Sequence, residues 1–400
     1  NLTNTGGSLS SAADLTVNSL GRVENQGGEL ITDGALLLTS AALDNRQQGN
    51  ISGKGAVSVI TGAFDNSQNG RLNAGGTLNL TAAQVTNQDG GRIGSQGALT
   101  ASVSELDQQG GQLFSNTSLS LDMNHGQLNN QNGLINAPGT LLLNNLNGVN
   151  NQGGEISSAQ AFTLAAENLN NESGRLLSNQ GLTLRITQAL NNVKGMIGAA
   201  SVDAHAQSLN NNGGTLTSRG NLVLGVDQQL DNQAQGLISA AQSLTLLSGD
   251  LNNQGGSVLA GGALLLDAMA LNNSANGLIN AQGNLTLDAD SLDSSNGGEV
   301  SAKGDMNLTL AALTQNGGRL LGEKALTLNL GGHDLNNRNG LITAKGPLTV
   351  NGLRNLNNQG GEVSSSQSFN LSGQTLDNSG GKLISSQSLS LDGDSLVNQS

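Results

Sequence analysis

The 400-residue sequence carries 58 Gly but only 2 Pro, no Cys, and aromatic residues at 1% of the chain. That composition excludes collagen, disulfide scaffolds, thiol catalysis and Cys-ligated zinc, and charged residues at 11% argue against highly charged disorder. The net charge is −13, and the 16 Lys and Arg residues never cluster, so no nucleic-acid partner is expected; no apolar run reaches the roughly 20 residues of a transmembrane helix, so no membrane insertion is expected either.

In chain order, the sequence is one phrase repeated. It opens on Asn1-Leu2-Thr3-Asn4-Thr5-Gly6-Gly7, takes its clearest form from Leu356 to Ser365, and ends on Leu396-Val397-Asn398-Gln399-Ser400. An aliphatic anchor follows each glycine turn: Leu9, Leu30, Ile51, Leu72, Ile93, Leu113, Ile135, Ile156, Leu176, Ile197, Leu216, Ile238, Val258, Ile279, Val300, Leu320, Ile342, Val363 and Leu383. The 19 anchors are 19 to 22 residues apart. Two residues on stands Ser, Thr, Ala or Gly, and a period of two puts both on one strand face. A second strand of the form Leu-x-Leu follows, as at Leu78–Leu80 or Leu285–Leu287, and a third inward residue precedes the next turn, as at Val23, Phe64 and Val85. Helix fails because the apolar spacing is i, i+2 and the frequent Gly would cost about 1 kcal/mol each.

Three short apolar segments per coil predict an all-β fold: a right-handed parallel β-helix, three-sided, of about 19–20 coils of about 21 residues. At about 4.8 Å per coil, the array would extend on the order of 90 Å. Residues 1–400 read as a single continuous array. Neither end shows a polar cap, so the array is expected to be an excerpt of a longer one.

Two residues after the third inward residue stands a polar column. It holds Asn4, Asn25, Asn45, Asn66, Asn87, Asn130, Asn151, Asn171, Asn192, Asn211, Asn232, Asn253, Asn273, Asn337, Asn358, Asn378 and Asn398, with Gln108, Ser294 and Gln315 completing 20 positions. Stacked amides at strand spacing can hydrogen-bond along the column, and Asn tolerates left-handed turns. A turn ladder is therefore expected. The Gly residues at the corners are expected where positive φ is needed.

Before the anchor, Glu155 precedes Arg175 by one coil, Glu299 precedes Arg319, and Glu362 precedes Lys382, so opposite charges are expected to pair. Arg71 and Arg92 stack like charges instead. Leu134, Met196, Leu237, Leu278 and Leu341 take this outward position but never in adjacent coils, so no large sticky patch is expected there. Pro138 and Pro347 fall in the turn before the Leu-x-Leu strand, where a missing N–H does least harm.

A catalytic constellation is not evident. His125, His205 and His333 are many coils apart, and no His or carboxylate group has metal-ligand spacing. Asp203, Asp227 and Asp250 fall in consecutive coils, and Asp288, Asp290 and Asp293 in one coil. They read as solvated turn carboxylates, because a carbohydrate-active β-helix would need aromatic platforms and the chain has no Trp or Tyr. No catalytic, cofactor or metal residue is assigned, and no enzyme activity is expected.

The phrase Leu-x-Asn-x-x-Gly-x-Ile-x-Ser/Ala followed by Leu-x-Leu resembles the filamentous haemagglutinin repeat over the whole chain. That repeat builds the shafts of two-partner-secreted exoproteins of Gram-negative bacteria, among them adhesins, haemolysins and CdiA-type contact-dependent growth inhibition toxins. The resemblance implies a secreted, surface-exposed shaft, exported through and anchored at an outer-membrane two-partner secretion transporter. It also implies receptors on host or neighbouring bacterial cells, met by receptor-binding or toxin segments outside these residues. The competing functions are a shaft that itself adheres and a β-helical carbohydrate-active enzyme.

Overall fold

The computed structural model describes residues 1–400, which fold into strands, turns and bends without a helix. The chain is a parallel β-solenoid with a coil of about 21 residues. Its residues group into two compact units, Asn1–Ala200 with Ala204–Ala206, and Ser201–Asp203 with Gln207–Ser400.

In both units a four-residue strand carries the anchor. In the first unit, strands such as Glu29–Thr32, Asn50–Gly53 and Arg71–Ala74 pair in parallel so that Leu30, Ile51, Leu72 and Ile93 stand in register. In the second, Leu216, Ile238, Val258 and Ile279 do the same, and Val300, Leu320, Ile342 and Val363 follow. Because every partner is one coil away, each anchor meets anchors above and below it, and Leu72, Ile93, Ile238 and Val258 are wholly buried.

The second and third apolar segments share one longer strand in most coils. In Leu78–Thr86, Leu78, Leu80 and Ala82 are buried, Ala83 and Gln84 face solvent in succession, and Val85 is buried again. Two consecutive outward residues reverse the alternation, so the strand turns a corner without ending. The three inward faces expected from sequence are thus carried by two kinds of strand.

Register explains the composition of the core. A layer stacked at about 4.8 Å on a near-identical layer must keep nearly the same cross-section, which favours Leu, Ile, Val and Ala over rings. Of the four Phe, Phe64, Phe162 and Phe369 are buried, while Phe114 lies on the outer face. A Cβ on Gly94 would fall 2.3 Å from the Phe114 ring, so the ring occupies the space that Gly94 leaves open.

Coil-length variation is absorbed at corners. Leu119–Asn129 carries extra residues where Asn124 and His125 adopt φ of 48° and 63°, and its register shifts against Leu99–Asp107. Gly331 and Gly332 make a similar bulge in Leu326–Asn336.

Candidate functional site: the asparagine corner and the outward faces

The asparagine corner is built from the backbone outwards. The Asn25 N–H donates to the Asp44 carbonyl in the next coil at 2.7 Å, and the Asn25 carbonyl accepts the Gly28 N–H at 3.0 Å, closing a tight turn. Gly27 at its third position has φ of 60°. The side chain is thereby aimed along the stack and is wholly buried.

In the first unit the Asn4 Nδ2 donates to Asn25 Oδ1 at 2.7 Å, and Asn25, Asn45 and Asn66 each pass the same bond to the next column residue at 2.7–2.8 Å. Asn87 reaches Gln108 Oε1 at 3.4 Å, and Gln108 donates to Asn130 at 2.9 Å. Asn130, Asn151 and Asn171 continue at 2.7 Å to Asn192. In the second unit Asn211, Asn232 and Asn253 donate in turn at 2.7 Å, the last to Asn273. Asn273 reaches Ser294 Oγ only at 3.4 Å, and Gln315 Oε1 is buried without a partner. The column resumes from Gln315 through Asn337, Asn358 and Asn378 to Asn398 at 2.6–3.0 Å.

Each amide nitrogen has further acceptors. Asn253 Nδ2 also donates to the Leu278 carbonyl at 3.2 Å, and Asn337 Nδ2 to the Glu362 carbonyl at 3.1 Å. With donors and acceptors spent on neighbouring coils, these amides have nothing left for a ligand, and their chemistry is architectural.

The glycine two residues before each anchor differs from expectation. Gly28, Gly154 and Gly361 do not require positive φ; only the residue ahead of them does, as at Gly27, Gly153 and Gly360. They are glycine because of close approach. A Cβ at Gly28 would lie 2.1 Å from the Asn4 carbonyl oxygen and 2.7 Å from Asn25 Oδ1. The ladder and this glycine therefore require each other. At Asn45, Asn66, Asn87, Asn232, Asn273 and Ser294 the turn is one residue longer. There the closing N–H meets the carbonyl after the column residue, as Gly49 N–H meets Arg46 at 3.0 Å, and two left-handed residues are needed, such as Gln47 and Gln48.

A second polar column escaped the sequence reading. The residue just before the ladder residue is Asp or Asn in most coils, and its Oδ1 accepts the backbone N–H two residues on, as Asn150 does from Gln152 at 3.2 Å and Asp293 from Ser295 at 2.9 Å. Where the residue is Asn, its amide nitrogen donates towards the preceding coil, opposite to the inner ladder: Asn150 to Asn129 at 3.0 Å and Asn170 to Asn150 at 3.1 Å. The signal was the repeated Asn-Asn pair, as at Asn150-Asn151 and Asn357-Asn358.

Asp44 in this outer column is buried between two cations. Its carboxylate meets Arg46 at 2.7 Å and Arg22 at 2.8 Å. Burial pushes its pKa up, but hydrogen bonds from the Arg46 side chain and backbone N–H and from Arg22 outweigh it and hold the group at about 2.

Among the expected charge pairs, Arg175 meets Glu155 at 3.3 Å and Arg319 meets Glu299 at 3.8 Å. Glu362 and Lys382 stand in register without closing an ion pair. Arg71 and Arg92 are in register, and the Arg92 guanidinium lies over Phe114, 5.5 Å from the ring centre, which offsets part of the like-charge cost. Leu134, Leu237, Leu278 and Leu341 are half-buried, and Met196 is exposed.

The candidate carboxylates are not gathered into a catalytic group. Asp250 stands opposite Gln229, two residues from Asp227. Asp288 and Asp290 are exposed on one face, whereas Asp293 caps a turn. His125, His205 and His333 are exposed on separate coils, and no group of three His, Asp or Glu could hold a metal ion.

The family model described as the haemagglutinin repeat matches residues 1–61, 39–122, 116–173, 167–226, 224–289, 281–352 and 324–400. Comparison with curated proteins and with solved structures gives no match. Seven overlapping matches cover the sequence from end to end, and the chain belongs to the haemagglutinin repeat family.

Proposed function

We propose that residues 1–400 are a segment of the shaft of a secreted or surface-exposed exoprotein, whose task is to hold other segments of that protein away from the cell. The observation that carries this reading is the allocation of chemistry inside each coil. Asn and Gly are spent on joining a coil to its neighbours, as in the bonds from Asn253 to Asn273 and Leu278. Outward residues are varied and assemble no catalytic group. Such a design sets length and leaves reactivity elsewhere.

The parent would be an adhesin or a carrier of a contact-dependent growth inhibition toxin, exported by an outer-membrane two-partner secretion transporter and anchored there. Its receptor, on a host or neighbouring bacterial cell, would be met by segments beyond these residues. The test is a deletion of two whole coils, residues 211–252, from an exoprotein carrying this array. A shaft keeps export and the activity of its distal segment, with reach shortened by about 10 Å. Loss of the distal activity despite normal export and folding would refute the shaft reading.

A further inference from the structure

The outward face of the second unit carries an aliphatic cluster that the repeat does not require. The residue between the two inward residues of the Leu-x-Leu strand is commonly a polar one, such as Thr286, Asn307, Thr327 or Thr349. In strand Leu264–Asn272 that rule fails at Leu265, whereas the neighbouring strand Leu244–Asn252 keeps Thr245 there and places Leu247 outwards at the position in register with Asp267. Leu247, Leu265 and Met269 point outwards and are 45%, 42% and 58% exposed. Register places Leu247 opposite Asp267 and Leu265 opposite Thr245, so the three lie within two adjacent coils. Each of these side chains leaves about half of its apolar surface in water, a burial that a partner could complete.

The charges around this cluster are of one sign. Asp250, Asp267, Asp288 and Asp290 are exposed beside it and form no ion pair, and Asp267 stacks in register on Asp288. Like charges directly opposite on a sheet repel. The four strands Leu244–Asn252, Leu264–Asn272, Leu285–Asp293 and Met306–Thr314 contain no Lys or Arg that could relieve them. Next to Met269 the surface sinks into a cleft of about 260 Å³, because the stacked residues Ala270, Ser291 and Ala312 are small. Asp250 and Asp293 stand at its wall.

We propose that this face docks an extended, cationic and aliphatic peptide segment of another protein. Its apolar side chains would cover Leu265 and Met269, and its Lys or Arg side chains would neutralise Asp267, Asp288 and Asp290. Charge complementarity selects this occupant. A second copy of the chain would bring the same carboxylates against these, and the chain as a whole carries −13. Four strands span about 15 Å along the stack, room for four or five extended residues. The site goes beyond the shaft reading, since display of distal segments needs no such surface.

The test uses the whole 400-residue chain and a fluorescein-labelled peptide of alternating Lys and Leu, about ten residues long, titrated by fluorescence anisotropy. The combined variant Asp267→Asn, Asp288→Asn, Asp290→Asn is expected to weaken binding about tenfold or more. The charge-neutral pair Leu265→Thr, Met269→Ser is expected to weaken it about fivefold or more. All five side chains are exposed, so both variants keep the fold, which circular dichroism checks. A control removing three carboxylates of the first unit, Glu105→Gln, Glu167→Gln, Glu172→Gln, should leave binding within about twofold. Absence of saturable binding would overturn the proposal. Equal loss in the control would overturn it too, by showing general charge attraction. So would calcium ion alone binding the face at micromolar concentration and displacing the peptide, since the carboxylates would then be a cation site.

Discussion

Ser294→Asn should stabilise the second unit, because the ladder is broken at that position. Ordinary rungs are 2.7 Å long, whereas Asn273 reaches Ser294 Oγ at 3.4 Å. The hydroxyl does not extend to the next coil, and Gln315 Oε1 is left buried with no donor. A buried acceptor without a partner costs about 1–3 kcal/mol, and a restored hydrogen bond contributes about 1 kcal/mol. Asn at 294 can supply the missing donor, since Asn87 already reaches the longer Gln108 at 3.4 Å. The turn is also compatible, because Asn45, Asn66 and Asn87 occupy the same longer corner. Against the gain stands the rotamer entropy of a longer side chain, a fraction of a kcal/mol. The predicted net gain is about 1–2 kcal/mol. Solenoids can unfold coil by coil, so the assay is native-state hydrogen exchange of the Ser294, Asn296 and Gln315 amides, which bond to Thr314, Asn316 and Asn336. Their exchange should slow about 5- to 30-fold, with amides in the first unit unchanged. Exchange that is unchanged or faster would refute the claim that the rungs are stabilising bonds.

Other outcomes follow from the same geometry. Gly28→Ala should cost about 3 kcal/mol or more, since its Cβ would meet the Asn4 carbonyl, while Gly317→Asn, with φ of 69° and open space, should cost less than about 1 kcal/mol; urea unfolding of the two variants compares them, and equal effects would refute the close-approach argument. Leu266→Asp places a carboxylate at a wholly buried site and should cost at least about 4 kcal/mol, read as lost β-sheet circular dichroism and protease resistance. Asp44 has its folded pKa lowered from 3.8 to about 2, so its contribution is fully present above about pH 4 and is lost as pH falls through about 2. That contribution is about 2 kcal/mol for a carboxylate only 1% exposed, and urea midpoints from pH 6 to 2 should fall more steeply in the native chain than in Asp44→Asn.

The inward half of each coil was legible because it obeys a strict rule. A residue that must match the one above and below it, such as Ile93 between Leu72 and Leu113, repeats visibly in sequence. The position of the ladder residues was legible for the same reason. The role of the glycine at 28 was not, because close approach depends on where Asn4 of the neighbouring coil places its carbonyl, which only coordinates reveal. The outer Asn/Asp column was hidden by mixed composition: Asp107 and Asn129 accept the same backbone N–H two residues on, whereas Thr314 takes that position in another coil. The aliphatic cluster of Leu247, Leu265 and Met269 was hidden because the three sit at different outward positions and become neighbours only through stacking.

The coupling between ladder and glycine also says what the fold can change freely. Losing one residue within a strand would turn its buried set outwards and displace its Asn from the column. Losing a whole coil returns every position to the same company: Asn meets Asn, glycine meets the carbonyl that requires it, and an aliphatic anchor meets another. The interactions that specify the fold reach one coil in each direction, as in the bonds from Asn253 to Asn273 and Leu278. Stability then accumulates coil by coil, and coil number becomes nearly independent of fold. A protein whose task is to set a distance benefits from that independence. One whose chemistry depended on residues gathered from many coils would be disrupted by each gain or loss. The proposed docking face respects the same limit, because its apolar and acidic residues lie within three neighbouring coils, Leu244–Asn252, Leu264–Asn272 and Leu285–Asp293.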